Sequence, residues 1–255
     1  MKLLGKTVII GATSGIGKEL AEIFSYQGNA VGLVGRREAL LYKIADELPN
    51  KSYIKAIDIS VADKAMEQLE ELLMEMGEVD IIVVSAGVGH FNSELDWSIE
   101  KKTIDTNIYG FTAMCDTAMK YFAKQGKGHL VGISSIDAIR GNGCAPAYAA
   151  SKAFVSNYLE GIRFWARTKK LPINVTEIQP GFVETPMTNG RKGFWVTSAQ
   201  KAAQQINKAI INKENHIYVT KRWCLVAWIM KLLPGGIMGK FYEQYEPEEQ
   251  KSFKN

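Results

Sequence analysis

The apolar positions of this chain follow two rhythms. Short continuous runs, KTVIIG (6–11), NAVGLVG (29–35), SYIKAID (52–58), VDIIVVSAG (79–87), GHLVGISS (128–135), INVTEIQPG (173–181) and HIYVT (216–220), have the length and β-branched content of buried strands. Between them, apolar residues return every three or four positions, as on one face of a helix. That spacing predicts helices over 16–27, over EALLYKIADEL (38–48) and over VADKAMEQLEELLMEM (61–76). Pro49 closes the second helix, Ser60 is the expected N-cap of the third, and Gly77 ends it. A long helix carrying Tyr148 precedes the sixth strand. Strands separated by helices imply right-handed crossovers and a parallel sheet covered on both faces. The fold class is therefore α/β, one doubly wound domain with a parallel sheet of about seven strands over 1–220. No linker or repeat divides it. Residues 221–255 form a C-terminal apolar helical extension and tail, not an independent domain.

Composition narrows the partners. A chain of 255 residues suits one α/β core. The net charge of +4 comes from Lys and Arg scattered along the sequence, so a nucleic-acid partner is not expected. Cys115, Cys144 and Cys224 are odd in number and far apart, which fits a reducing compartment without disulfides. His90, His129 and His216 lack metal-ligand spacing, so no metal is expected. The apolar run in MKLLGKTVIIG is too short for a signal peptide, and the expected location is cytoplasmic.

Two features point to a dinucleotide. VIIGATSGIGKEL places Gly11, Gly15 and Gly17 where the first strand turns into the first helix. Gly11 would permit the turn, Gly15 the approach of a pyrophosphate, and Gly17 close packing of helix on sheet; the helix N-terminus, at Ser14 and Ile16, would offer N–H groups to the phosphate. A merely tight turn is the alternative. At the end of the second strand, where an acid would bind a ribose 2′-hydroxyl, LVGRRE offers Arg36 and Arg37. Guanidinium groups suit a 2′-phosphate, which favours NADP(H) over NAD(H). The two arginines could also simply begin a solvated helix.

The stretch SSIDAIRGNGCAPAYAASKAF (134–154) sets Ser135, Tyr148 and Lys152 among small and apolar residues. Tyr148 and Lys152, four apart, share a helical face. A cation within about 4–6 Å can lower a phenol by roughly 1–3 pH units from its usual value near 10, so Lys152 is expected to bring Tyr148 towards the working pH. Ser135 would donate to a substrate carbonyl oxygen as negative charge develops. The bland reading is three polar residues reaching water.

Taken together, these segments resemble the short-chain dehydrogenase/reductase family from residue 6 to about 219, and so imply a Rossmann-like fold. GATSGIG looks like the family's cofactor loop. AIDIS resembles the segment in which an acid, here Asp58, contacts adenine beside Ile59. SAG, with Ala86 and Gly87, looks like the family's NAG, with Ser85 in place of the usual asparagine. DTNIYG supplies Asn107, which the resemblance implies holds a water linking Lys152 to solvent. Lys152 would also bond the nicotinamide ribose. PGFVETP resembles the nicotinamide clamp, placing Pro180, Gly181, Val183 and Thr185 at the cofactor.

The implied activity is NADPH-dependent reduction of a ketone or aldehyde, with Tyr148 as general acid. The alternatives are an NADP-dependent alcohol dehydrogenase working oxidatively, or a non-catalytic NADP(H)-binding sensor or scaffold. Substrate choice would rest with His90, Ile136, Phe182, Phe194 and Trp195; Phe194 and Trp195 suggest an apolar carbonyl or alcohol, or equally an anchor of their loop to the domain. Val155, Leu159 and Ile162 should face the sheet, while Phe154, Tyr158 and Trp165 form a second stripe. The family pairs this helix across a dimer interface, so a homodimer or homotetramer is expected. The run from Trp223 to Leu233 is apolar all round except Lys231 and is expected to be buried over the pocket or a neighbouring subunit. A membrane-surface helix is the alternative.

Overall fold

The computed structural model describes residues 5–188 and 195–237. The chain alternates strand and helix as the apolar pattern predicts. In order come β1 (Lys6–Ile10), α1 (Gly15–Tyr26), β2 (Ala30–Gly35), α2 (Glu38–Glu47), β3 (Ser52–Ala56), α3 (Ala62–Met76) and β4 (Ile81–Val84). Next are α4 (Trp97–Ile104), a π-helical turn (Asp105–Gly110) and α5 (Phe111–Gln125). Then follow β5 (Gly128–Ile133), α6 (Pro146–Thr168), β6 (Ile173–Pro180), the two-residue strands β7 (Val183–Glu184) and β8 (Thr197–Ser198), α7 (Ala199–Ile211), β9 (His216–Val219) and α8 (Trp223–Leu232). The first cap differs from expectation: Val61, not Ser60, is the N-cap of α3, because the Ser60 hydroxyl donates to Asp58 Oδ1 at 2.7 Å.

Seven strands form one parallel sheet in the order β3-β2-β1-β4-β5-β6-β9. This is the Rossmann-like α/β fold that the alternation predicts. One face is covered by α3, α5 and α6 through Leu69, Leu72, Phe111, Phe122, Val155 and Leu159, all buried. The other is covered by α1, α2 and α7 through Leu20, Phe24, Leu41, Ile206 and Ile210. A sheet enclosed on both faces needs continuous apolar strands, which is why the strands read as runs instead of alternations. Connections leave β1 and β4 in opposite directions, so a crevice opens beyond their C-terminal ends, the place where open α/β sheets bind ligands.

Candidate active site

The glycine loop forms one wall of that crevice. Gly11 has φ +99°, and a Cβ there would come 2.6 Å from the Ala86 amide nitrogen; a Cβ on Gly17 would lie 2.2 Å from the Gly11 carbonyl. Only glycine permits this turn and this packing of α1 on the sheet. Ser14, at the N-cap of α1, makes no side-chain cap, and the first turn holds no acid. The N–H groups and the positive dipole end are thus available to an anion, with Ser14, Gly15 and Ile16 lining the cleft.

At one end, Arg36, Arg37, Asp58 and Ile59 line the cleft. Arg37 Nη2 donates to Thr13 Oγ1 at 2.6 Å and Ser14 Oγ at 3.1 Å, which holds the guanidinium over the glycine loop. Asp58 Oδ1 accepts from the Ser60 amide at 3.0 Å. Ala86 and Gly87 lie along the floor, and Pro180, Gly181, Val183 and Thr185 along the far side. An uncapped helix end, two guanidinium groups and a glycine-lined floor fit a phosphate-bearing dinucleotide. The predicted cofactor residues all line this cleft except Gly17, whose part is to bring α1 close.

Ser135, Tyr148 and Lys152 meet at the other end of the same cleft. Ser135 is delivered just beyond β5, and the first two turns of α6 carry the other pair. Lys152 Nζ donates to the Ile133 carbonyl at 3.0 Å and lies 5.7 Å from the Tyr148 ring centroid. Asn107 sits in the π-helical turn, a widened turn that often marks a functional site. Its Nδ2 donates to Val88 O at 2.8 Å and to Ser151 Oγ at 3.0 Å, while Oδ1 accepts from Val88 N at 2.8 Å. Asn107 therefore ties the segment after β4 to the helix of Tyr148.

The electrostatics correct one expectation. Burial lowers Lys152 to about 8, partly opposed by the nearby Asp137 carboxyl. Tyr148 does not shift down; burial pushes it above its ordinary value and Asp137 pushes it further, against a hydrogen bond with Ser135. The spacing of Tyr148 and Lys152 showed the cation but not the desolvation. Asp137 was also missed, although an acid two residues after Ser135 in an apolar loop was a readable signal. Its amide donates to Ser135 Oγ at 3.1 Å, its Oδ2 lies 3.4 Å from the same hydroxyl, and burial raises its carboxyl.

The residues predicted for substrate choice divide. Ile136 is buried against Trp223 and Ala227 of α8, with Ile139 and Trp195 beside them. Trp223 meets Phe182 edge-on at 5.6 Å and Trp195 at 6.3 Å, and its ring lies 2.0 Å from where a Cβ on Gly181 would be. Trp223 is thus the hub that sequence reading left in the extension. His90 is exposed and does not line the cleft, and Phe194 lies outside the described residues. The extension itself is buried on one side only. Trp223 and Ala227 face inward, whereas Leu225, Trp228, Ile229 and Leu232 are exposed. An edge helix has the domain on one side and nothing described on the other. Arg140, in the loop after Ser135, caps its C-terminus: Nε donates to Met230 O at 2.7 Å and Nη2 to Leu233 O at 2.6 Å.

The order of these parts agrees with comparison to known proteins: residues 6–193 match the family described as short chain dehydrogenase. The chain belongs to the short-chain dehydrogenase/reductase family. A Myxococcus xanthus relative, an uncharacterized oxidoreductase, is 30% identical over 234 residues, covering 89% of this chain and 92% of the relative. Among solved structures, 3-ketoacyl-(acyl-carrier-protein) reductase from Brucella melitensis, complexed with NADH, superimposes with TM-score 0.76 at 23% identity, covering 85% of this chain and 97% of that one. A short-chain dehydrogenase from Sphingobium yanoikuyae in complex with NADPH gives 0.75 at 21% identity, over 91% and 97%. At these identities the structural likeness shows the fold alone. The protein is accordingly an oxidoreductase of the short-chain dehydrogenase/reductase family, and no disulfide joins its three cysteines. Among the described residues there is no cluster of metal-binding side chains, and no helix is long and apolar enough to cross a membrane.

Proposed function

We propose that this short-chain dehydrogenase/reductase reduces a ketone or aldehyde to an alcohol with NADPH, using Tyr148 as general acid. One observation carries the reading: Ser135, Tyr148 and Lys152 share a cleft whose opposite end bears Arg36 and Arg37, with no carboxylate directly following β2. Solved neighbours carry NADH in one case and NADPH in another, so the choice of NADP(H) over NAD(H) rests on those two guanidinium groups.

The dinucleotide's pyrophosphate would lie on Ser14, Gly15 and Ile16, its 2′-phosphate at Arg36 and Arg37, its adenine at Asp58 and Ile59, and its nicotinamide by Val183 and Thr185. Bound there, it supplies a hydride to the carbonyl carbon. Ser135 donates to the carbonyl oxygen as charge develops, and Tyr148 gives that oxygen its proton. The phenol is in its protonated form at neutral pH, the state a proton donor needs, and burial holds it there. Lys152, lowered to about 8, is placed to pass a proton on, and Asn107 stands beside it at Gly87. Ile136, Phe182, Trp195 and Trp223 pack together beside Gly181 at the edge of the cleft, an apolar cluster that suits an apolar carbonyl compound. Phe164 and Trp165 on the exposed side of α6 suit a homodimer or homotetramer.

The test is Tyr148→Phe, assayed by the fall in NADPH absorbance across a panel of ketones, aldehydes and quinones. Loss of the general acid should cut turnover by about 10²–10⁴-fold and leave NADPH binding, followed by fluorescence titration, nearly unchanged. Retention of more than about a tenth of wild-type turnover would remove Tyr148 from the reaction. A protein that binds NADPH but turns over none of the panel would be a sensor or scaffold instead.

A further inference from the structure

We propose that α8 lies in the plane of an anionic phospholipid bilayer surface, seating Leu225, Trp228, Ile229 and Leu232 among the lipid headgroups and upper acyl chains. These side chains are 63%, 64%, 49% and 76% exposed. At 3.6 residues per turn they fall within an arc of about 100° directly opposite Trp223, so they form one face. The inner face is already engaged with the domain through Trp223 and Ala227. Nothing need undock for the outer face to be used.

Charge identifies the occupant. Not one acid lies between Glu214 and Glu243, whereas Lys221, Arg222, Lys231 and Lys240 do. Arg222, its guanidinium 6.0 Å from the Trp195 ring, lies about 20° beyond one edge of the exposed arc and Lys231 about 60° beyond the other, and both are exposed. An apolar stripe with a tryptophan, flanked on each side by a cation, is the pattern of a helix lying at an anionic membrane surface. Ten residues make a helix of about 15 Å, half the thickness of a bilayer core, so it can lie on a membrane but not span it. A second copy of the chain is a poorer occupant. A face about 15 Å by 10 Å is far below the roughly 800 Å² per partner of a stable interface, and like charges would meet across it. Because Trp223 joins α8 to the wall beside Gly181, docking would bring that end of the cleft to the lipid. The inference does not depend on the reaction proposed above.

The experiment is co-sedimentation of the full-length protein with phosphatidylcholine vesicles, with and without phosphatidylglycerol, at low and high salt. Light scattering is run on the same samples. The intact protein should sediment with the anionic vesicles and lose that binding as salt rises. Trp228→Glu combined with Leu232→Glu should weaken binding at least about tenfold while leaving turnover and circular dichroism unchanged. Lys231→Glu, which leaves the apolar face intact, should reduce the preference for anionic over neutral vesicles. The proposal fails if the intact protein stays in the supernatant, or if the double variant sediments as well as wild type. It also fails if that variant only changes the oligomeric state, which would make a second copy the occupant.

Discussion

Acidification should destabilise this fold through His129, which lies far from the cleft. The imidazole sits in β5 between two neighbouring strands and is only 6% exposed. Thr176 donates its hydroxyl proton to the Glu214 carbonyl, so His129 Nε2, 2.7 Å from Thr176 Oγ1, must be the donor to that oxygen. The neutral ring therefore carries its proton on Nε2. Burial, helped by the ammonium of Lys213, lowers it from 6.5 to about 4. Between those values the unfolded chain binds a proton that the folded one refuses. The stabilisation is complete above pH 6.5 and is lost as pH falls towards 4. At 1.36 kcal/mol per pH unit, the gap is worth about 3 kcal/mol, a large share of the 5–15 kcal/mol typical of a domain. Urea unfolding followed by circular dichroism from pH 7 to 4 measures it, with His129→Gln as the control, because the glutamine amide can still donate to Thr176. Wild type should lose about 3 kcal/mol more than the variant across this range. Parallel curves for the two proteins would show that His129 titrates normally, and the argument from burial would be wrong.

Arg36→Ala and Arg37→Ala should each weaken NADPH binding by roughly 10- to 150-fold and NADH binding much less, by fluorescence titration; equal losses would mean that neither guanidinium reads a 2′-phosphate. Arg37→Ala should additionally loosen the glycine loop, because it holds Thr13 and Ser14, and so should show some loss with NADH where Arg36→Ala shows little. Trp223→Ala removes the ring that Phe182, Trp195 and Ile136 share and should cost about 3–5 kcal/mol if α8 unfolds with the domain, or less if it frays alone. In either case KM for an apolar substrate should rise more than kcat falls, and an unchanged KM would place the substrate elsewhere.

The sequence made the sheet legible because both of its faces are covered, so each strand announces itself as an unbroken apolar run. The glycine loop and the pairing of Tyr148 with Lys152 were legible because their spacing is fixed by local geometry, a turn into a helix and one helical turn, whereas Ser135 was set beside them by the family resemblance. What stayed hidden depends on contacts between distant segments. That burial would outweigh Lys152 at the phenol could not be read from a four-residue spacing. Nor could the meeting of Trp223 with Gly181, 42 positions earlier in the numbering. Which face of α8 meets the domain stayed hidden for the same reason, since a helical wheel records which faces are apolar but not which of them finds a partner. β7 and β8 escaped because two residues carry no periodicity.

Arg140 bears on how such proteins can be rebuilt. The arginine stands in the loop that begins at Ser135, while the carbonyls it holds belong to Met230 and Leu233 at the end of α8. These two segments, some ninety positions apart, therefore behave as a single cassette. The family match ends at residue 193, before α8 begins. Grafting an α8 of another length or tilt onto this scaffold without its matching loop would move those main-chain carbonyls away from the guanidinium and leave a helix end uncapped. Exchanging loop and helix together would carry the clasp across intact, making that pair, instead of the helix alone, the natural unit of exchange.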